Sequence, residues 1–155
     1  MVRGPDPTFD ELYRELILDH YRRPRNRHDV DSPDVDLTQH NPLCGDEVHV
    51  TARIEDGRLV DIGFAGQGCS ISQASASMMT ELVKGKEIDA ADDVANSFRK
   101  MVRGEAAGDD SLGDVLSLQG VSKYPLRVKC AVLAWDTLQR GLQERQKNTG
   151  SSPSN

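Results

Sequence analysis

The segment from residue 47 to 64, EVHVTARIEDGRLVDIGF, alternates apolar and polar residues on either side of Asp56-Gly57. Every second residue is apolar before this dipeptide, and the alternation resumes after it: Val48, Val50, Ala52 and Ile54, then Val60, Ile62 and Phe64. A period of two is typical of strands that bury one face. Asp-Gly is a preferred two-residue turn between antiparallel strands. The segment therefore predicts a β-hairpin with strands at 47–55 and 60–64, ended by Gly66-Gln67-Gly68.

Apolar residues at helical spacing predict four helices around this hairpin. They cover residues 9–21, 71–82 and 94–102, and the stretch from Pro125 to Leu142. The glycine-rich residues 104–122 are predicted as a loop with one short helix near 112–116, and residues 34–40 as a third strand. The predicted fold class is α+β, a small antiparallel sheet of about three strands with helices packed on one face. We expect one domain over residues 1–145, followed by a disordered tail at 146–155.

The composition is that of a soluble globular protein, with 28% charged and 37% hydrophobic residues among 155. The formal net charge of −6 argues against a broad nucleic-acid-binding surface. No apolar run approaches the roughly 20 residues that cross a bilayer, so we expect no membrane partner. The N-terminal residues MVRGPDPTFDEL do not resemble a secretory signal, so we expect a cytoplasmic protein.

The three cysteines lie far apart in the chain, at positions 44, 69 and 130, each near the end of a predicted element. Cys44 and Asp46 flank Gly45 just before the hairpin; in an extended chain their side chains would point to the same side. Gly45 leaves the backbone free to adjust. Cys69 opens the second helix, where unpaired amides and the helix dipole favour a thiolate. Cys130 lies in the first two turns of the last helix.

Three thiolates and one carboxylate make four ligands, the number that tetrahedral zinc takes. The spacing is not that of a zinc finger, because no CxxC occurs. Buried thiols and a reactive thiol therefore remain open alternatives.

Two cations accompany the last cysteine, in the run Arg127-Val128-Lys129-Cys130. They could offset the formal charge of −2 that such a ligand set leaves around a dication, or they could be solvated residues at a helix start. A second basic run closes the first helix and continues beyond it: Arg22, Arg23, Arg25 and Arg27. It is either a solvated helix end or a docking site for a partner.

Four stretches together resemble the IscU/SufU family (NifU N-terminal-like) of iron–sulfur cluster assembly proteins: HYRRPRN, LCGDEVHV, GFAGQGCSISQASASMMTELVKGK and YPLRVKCAVLAWDTL. The resemblance extends from about residue 9 to 143. In the scaffold branch, IscU, a histidine usually precedes the last cysteine, where this chain has Lys129. The SufU branch carries an insertion between the second and third cysteines, and here 60 residues separate Cys69 from Cys130. Both features indicate the SufU branch.

The resemblance implies a zinc site made of Cys44, Asp46, Cys69 and Cys130. It also implies that Cys44 accepts sulfur from the persulfide of a PLP-dependent cysteine desulfurase of the SufS type, and that the sulfur passes on to SUF scaffold proteins. Arg127 matches an arginine thought to assist that thiol, and Lys129 and Gly45 would tune the site.

Two other functions stay open. The chain could be a scaffold that assembles a 2Fe-2S cluster on the same ligands, or a zinc-stabilised regulatory module that only binds its partner. Lys129 argues against the scaffold, because a lysine ammonium has no lone pair to offer a metal.

Overall fold

A computed structural model describes the backbone of residues 8–150 and the side chains of residues 13–147. Helix α1 (Thr8–Arg22) precedes three strands, β1 (Val35–Asn41), β2 (Asp46–Glu55) and β3 (Arg58–Gln67). Helices α2 (Ser70–Val83) and α3 (Ile88–Val102) follow. A 3₁₀ segment (Asp110–Lys123) then leads into the last helix, α4 (Pro125–Gly150).

The three strands form one antiparallel sheet in the order β1-β2-β3. This confirms the predicted hairpin and the third strand. One detail of the prediction was wrong: Leu59, not Val60, faces the core beside Ile62 and Phe64. The ladder pairs Arg53 with Asp61 but Ile54 with Leu59, so Val60 is the extra residue of a bulge. A bulge of one residue reverses the alternation beyond it.

The core lies between one face of the sheet and helices α2 and α4, as the α+β prediction required. The four inward residues of β2 are all buried, and Phe98 of α3 stacks on Trp135 of α4 with ring centroids 4.7 Å apart. Part of the opposite sheet face is covered by the segment after α1, where the Val30 amide donates to Thr51 Oγ1 at 2.9 Å. No helix within residues 8–150 is both long and apolar enough to cross a membrane.

The region predicted mostly as loop is more ordered than expected. Within the 3₁₀ segment every third residue is buried: Leu112, Val115, Leu118 and Val121. This is the period of a 3₁₀ helix, which a search for periods of 2 or 3.6 overlooks. Its backbone breaks once, at Gly113.

Two helix boundaries also differ from the prediction. Helix α3 begins at Ile88, upstream of the predicted residue 94, and α4 continues to Gly150, into the predicted tail. Residues 151–155 of that tail lie outside the described residues, so their disorder stays a prediction, as does the single domain over 1–145.

Candidate metal centre

Three separate parts of the chain meet at one end of the sheet. The turn between β1 and β2 supplies Cys44 and Asp46, the junction of β3 and α2 supplies Cys69, and the start of α4 supplies Cys130. The sulfurs of Cys44 and Cys130 lie 3.3 Å apart. The ligand atoms of Cys44, Asp46 and Cys130 all fall within 4.8 Å of one another. Three of the four residues predicted as ligands are thus gathered at one point.

The chain is not extended across Cys44 and Asp46. Gly45 has a φ of +71°, in the left-handed region, and the Cys44 amide donates to the Asn41 carbonyl at 3.2 Å. The turn, and not an i/i+2 strand geometry, brings the thiol and the carboxylate together. A Cβ at Gly45 would meet nothing within 4 Å, so the glycine is needed for its backbone conformation alone.

Asp46 is almost fully buried and is tied to the second cysteine, Cys69, through the backbone. Its Oδ1 accepts the Cys69 amide at 2.9 Å. A Cβ at Gly68 would lie 2.4 Å from that same Oδ1 and 2.7 Å from Ser72 Oγ. Gly68 therefore lets β3 approach the carboxylate, which gives the Gly66-Gln67-Gly68 stretch a role at the site as well as at the strand end.

Cys69 is the N-cap of α2, as its place after the glycines indicated. Its sulfur accepts the Ser72 amide at 3.4 Å. This sulfur is not part of the group that lies within 4.8 Å, although Cys69 contributes to the electrostatics of Cys130. Cys69 is thus a neighbour of the three gathered ligand atoms.

Cys130 is fully buried in the first two turns of α4. Burial raises the pKa of the Cys130 thiol, and hydrogen bonds with Asp46 and Cys44 raise it further. A cation is therefore needed to hold this sulfur as a thiolate at neutral pH. Asn41, which the sequence analysis missed, places its Nδ2 3.7 Å from Cys130 Sγ and 3.5 Å from Asp46 Oδ2.

Of the two predicted cations, Arg127 lies at the site and Lys129 does not touch it. The pKa of Arg127 is raised by a hydrogen bond to Cys130 and then by the charges of Cys69 and Cys130. Arg127 precedes Cys130 by three residues, so both occupy one face of α4. Lys129 is exposed, and among residues 13–147 no hydrogen bond or ion pair joins its side chain to the four predicted ligands. Because a step of one residue turns a helix by about 100°, Lys129 lies on a different face of α4 from Cys130.

The arginines predicted as a docking site lie at the end of α1. Arg23 Nε and Arg25 Nη2 both donate to Asp19, at 2.9 and 2.7 Å, while Arg22 is exposed. Arg27, farther along the chain, donates its Nη2 to the Gly66 carbonyl of β3 at 2.6 Å. A docking role for Arg22, Arg23 and Arg25 stays a prediction.

Exposed apolar side chains border the site. Leu43 and Leu126 are each 64% exposed and Tyr124 is 62% exposed. Leu43 directly precedes Cys44, and the Leu126 carbonyl lies 3.7 Å from Cys130 Sγ. Large apolar residues left in solvent beside polar ones are typical of an interaction surface.

The donor set fits a small tetrahedral cation. Thiolates and a carboxylate are ligands that zinc accepts, and Zn–S bonds of about 2.3 Å place two sulfurs about 3.8 Å apart. The observed 3.3 Å between Cys44 and Cys130 is close to this separation. With Cys69 beside the group, the centre offers three sulfurs and one carboxylate.

Comparison with known proteins identifies relatives over nearly the whole chain. Residues 12–151 match the NifU-like N-terminal domain family. The zinc-dependent sulfurtransferase SufU of Bacillus subtilis is 45% identical over 140 residues, which cover 90% of this chain and 95% of that protein. The iron–sulfur cluster assembly scaffold protein IscU of Streptococcus pyogenes is 38% identical, with coverage of 87% and 85%.

A solved structure has the same fold. It is a putative iron–sulfur cluster assembly scaffold protein for the SUF system from Fervidobacterium islandicum, with a TM-score of 0.79 and 32% identity. The match covers 83% of this chain and 94% of that one.

Proposed function

Because the chain belongs to the NifU-like N-terminal domain family, whose members here include iron–sulfur cluster scaffold and sulfur-transfer proteins, we propose that it is a zinc-dependent sulfur acceptor. It takes persulfide sulfur from a PLP-dependent cysteine desulfurase of the SufS type onto Cys44 and passes it to SUF scaffold proteins. The observation that carries the proposal is the asymmetry of the centre: Cys44 is partly exposed, whereas Cys130, whose sulfur lies 3.3 Å from that of Cys44, is fully buried.

Zinc would be held by Cys44, Asp46, Cys69 and Cys130. Bound there, it would keep the thiols deprotonated at neutral pH and restrain their nucleophilicity. The buried Cys130 and Asp46 suit a permanent anchor. Cys44 sits on a turn with open space around Gly45, which suits a ligand that leaves and returns.

The transfer itself is a thiol–disulfide exchange. The Cys44 thiolate attacks the outer sulfur of the donor persulfide, a new sulfur–sulfur bond forms on Cys44, and the donor cysteine leaves with the electron pair as a thiolate. The oxidation state of the transferred sulfur is conserved, so no external oxidant or reductant is required. The guanidinium of Arg127, bonded to Cys130, offsets the negative charge that gathers at the centre during this step.

A cluster scaffold is the second candidate, because the 38% identical relative from Streptococcus pyogenes is named as one. The same sulfurs and carboxylate could hold a 2Fe-2S cluster. Lys129 stands where the scaffold branch usually has a histidine; it is exposed and offers no ligand atom. We therefore rank sulfur transfer first.

Metal and acid-labile sulfide content separates these candidates. We expect protein purified anaerobically without added metal to hold about one zinc per chain, as a four-ligand site requires, with neither iron nor sulfide. Iron with matching sulfide would favour the scaffold instead.

A second experiment tests the acceptor role of Cys44. We expect Cys44→Ser to abolish stimulation of the desulfurase, and mass spectrometry of wild type to find the added sulfur on the Cys44 peptide. Arg103→Ala, an exposed change at the end of α3, is the control and should behave as wild type. Undiminished stimulation by Cys44→Ser would favour a regulatory module that only binds its partner.

A further inference from the structure

A groove of about 880 Å³ runs between α1 and the 3₁₀ segment and opens beside the metal centre. Ser70, next to Cys69, and Arg127 line its near end. Its floor is apolar and comes from three elements: Ile17, Leu18, Ile71 and Val121. Apart from Arg127, no residue that lines this groove takes part in the sulfur-transfer chemistry described above.

The groove is positively charged although the chain as a whole carries a net charge of −6. Arg14, Lys123 and Arg127 line it, and within residues 13–147 no aspartate or glutamate does. Arg14 and Lys123 are exposed, and neither forms an ion pair with another residue in the range 13–147. Other arginines are paired: Arg23, Arg25, Arg53, Arg58, Arg99 and Arg140. The groove thus concentrates cations that have no carboxylate partner among residues 13–147.

The walls of the groove are fixed to each other by a buried histidine. His20 of α1 is fully buried, with its Nδ1 2.8 Å from Ser77 Oγ of α2 and its Nε2 2.8 Å from Asp114 Oδ2 of the 3₁₀ segment. In the tautomer with hydrogen on Nε2, the ring donates to the carboxylate and accepts from the serine. The groove is therefore present before any partner arrives.

We propose that this groove docks an acidic segment of the sulfur-donating protein, with an apolar side chain on the floor and carboxylates on Arg14 and Lys123. Docking there would bring the donor persulfide to the end of the groove where Arg127 and the cysteines lie. The inference rests on the proposed function and adds to it the surface and the chemistry of the partner. It also gives the 3₁₀ segment a function, since that segment supplies about half of the lining.

Charge reversal tests the contribution of the two cations. We expect Arg14→Glu and Lys123→Glu each to raise the concentration of this protein that half-saturates the desulfurase by about fivefold to tenfold, because like charges then face each other. The rate at saturation should stay within about twofold of wild type, since neither residue touches the sulfurs. The increase should shrink at high ionic strength.

Lys100→Glu and Arg103→Glu are matched controls, because they make the same charge change at exposed positions near the end of α3. Both should leave the half-saturating concentration near that of wild type. If all four variants shift it equally, the effect is one of net charge and the groove proposal is overturned. Zinc content and melting temperature confirm that each variant is folded.

A photoreactive residue identifies the occupant. Gly120 lines the groove, and a Cβ there meets nothing within 4 Å, so benzoylphenylalanine at position 120 should be accommodated. We expect it to cross-link to a desulfurase peptide that contains aspartate or glutamate, whereas the same group at Gln143 of α4 should not. A cross-link to a second copy of this chain, to its own termini, or to nothing would overturn the proposal.

The two proposals fail in different ways. If wild type neither stimulates the desulfurase nor gains sulfur on Cys44, the proposed function is wrong. If wild type does both while Arg14→Glu and Lys123→Glu match their controls, only the docking groove is wrong.

Discussion

Strand β2 has a glycine in the left-handed conformation near each end, and the two ends differ in their surroundings. Gly45 precedes the strand with a φ of +71°, and Gly57 follows it with a φ of +76°. At the Gly57 end two contacts join the hairpin to the start of α3: the Gly57 carbonyl accepts the Ile88 amide at 2.9 Å, and Arg58 pairs with Glu87. At the Gly45 end an exposed leucine and a partly exposed thiol flank a buried carboxylate.

The difference shows how one small sheet separates stability from function. At the Gly57 end, backbone hydrogen bonds within the chain join the β2–β3 hairpin to the start of α3. The Gly45 end gathers sulfurs and a carboxylate from distant segments and leaves apolar surface in solvent. We therefore expect substitutions at the Gly57 end to change stability alone, and substitutions at the Gly45 end to change metal binding and sulfur acceptance.

The largest expected effect on stability is at the Gly57 end. Leu59 is fully buried there, whereas Leu43 at the other end is 64% exposed. We expect Leu59→Ala to lower the free energy of unfolding by about 2–5 kcal/mol, and Leu43→Ala by less than about 0.5 kcal/mol. Urea denaturation measures both, and zinc content should stay unchanged in both. If Leu43→Ala lowered the free energy of unfolding by more than about 2 kcal/mol, the Gly45 end would also contribute to core stability.

The next effect concerns the metal. Asp46→Asn keeps an oxygen that can accept the Cys69 amide but removes the negative charge, so we expect zinc content well below one per chain. Since ligand present at 100 times its Kd stabilises a protein by about 2.7 kcal/mol, the variant should lose stability of that order.

Asp56→Asn at the hairpin turn is the matched control, because it is exposed and asparagine tolerates its φ of +53°. It should retain full zinc. Full zinc in Asp46→Asn as well would remove Asp46 from the proposed ligand set. Metal analysis and thermal melts with and without a chelator measure both outcomes.

The accuracy of the fold prediction depended on the spacing of apolar residues in each segment. The hairpin has a period of two and a recognisable turn, so its strands were predicted closely; the bulge at Val60 was not, because pairing decides it. The 3₁₀ segment has apolar residues at every third position, between the helical and strand periods, and was predicted mostly as loop.

At the site, the resemblance grouped the chemistry-bearing residues, but the contacts that other residues make with them could not be predicted from the sequence. The gathering of Cys44, Asp46 and Cys130 agrees with their predicted grouping. Asn41 was overlooked because its contact with Cys130 spans 89 positions. Gly68 was noted only as a strand breaker, because its closeness to Asp46 depends on how β3 packs.

The two glycines allow the most closely matched test of the comparison. A Cβ at either position meets no atom within 4 Å, so only the backbone opposes alanine. We expect Gly45→Ala and Gly57→Ala each to lower the free energy of unfolding by about 1–2 kcal/mol. Only Gly45→Ala should slow sulfur acceptance by Cys44, measured as desulfurase stimulation. Equal slowing in Gly57→Ala would show that acceptance follows overall stability and not the local turn.

The smallest effect is expected at the end of α1, and it depends on pH. Hydrogen bonds from Arg25 and then Arg23 hold the pKa of Asp19 below its ordinary value of 3.8. The carboxylate therefore contributes stability above about pH 3.8, and that contribution is lost as the pH falls through the lower folded value. Asp19→Asn should lower the melting temperature of the zinc-free protein slightly at pH 7, and the difference from wild type should shrink once the pH falls below 3.8. Asp93→Asn, an exposed change on α3, should show no such trend.

Because Asp19→Asn also releases Arg23 and Arg25, the half-saturating concentration for the desulfurase tests their predicted docking role. We expect it to stay unchanged, since the proposed docking groove holds its partner through Arg14 and Lys123. A decrease would support a docking role for Arg23 and Arg25.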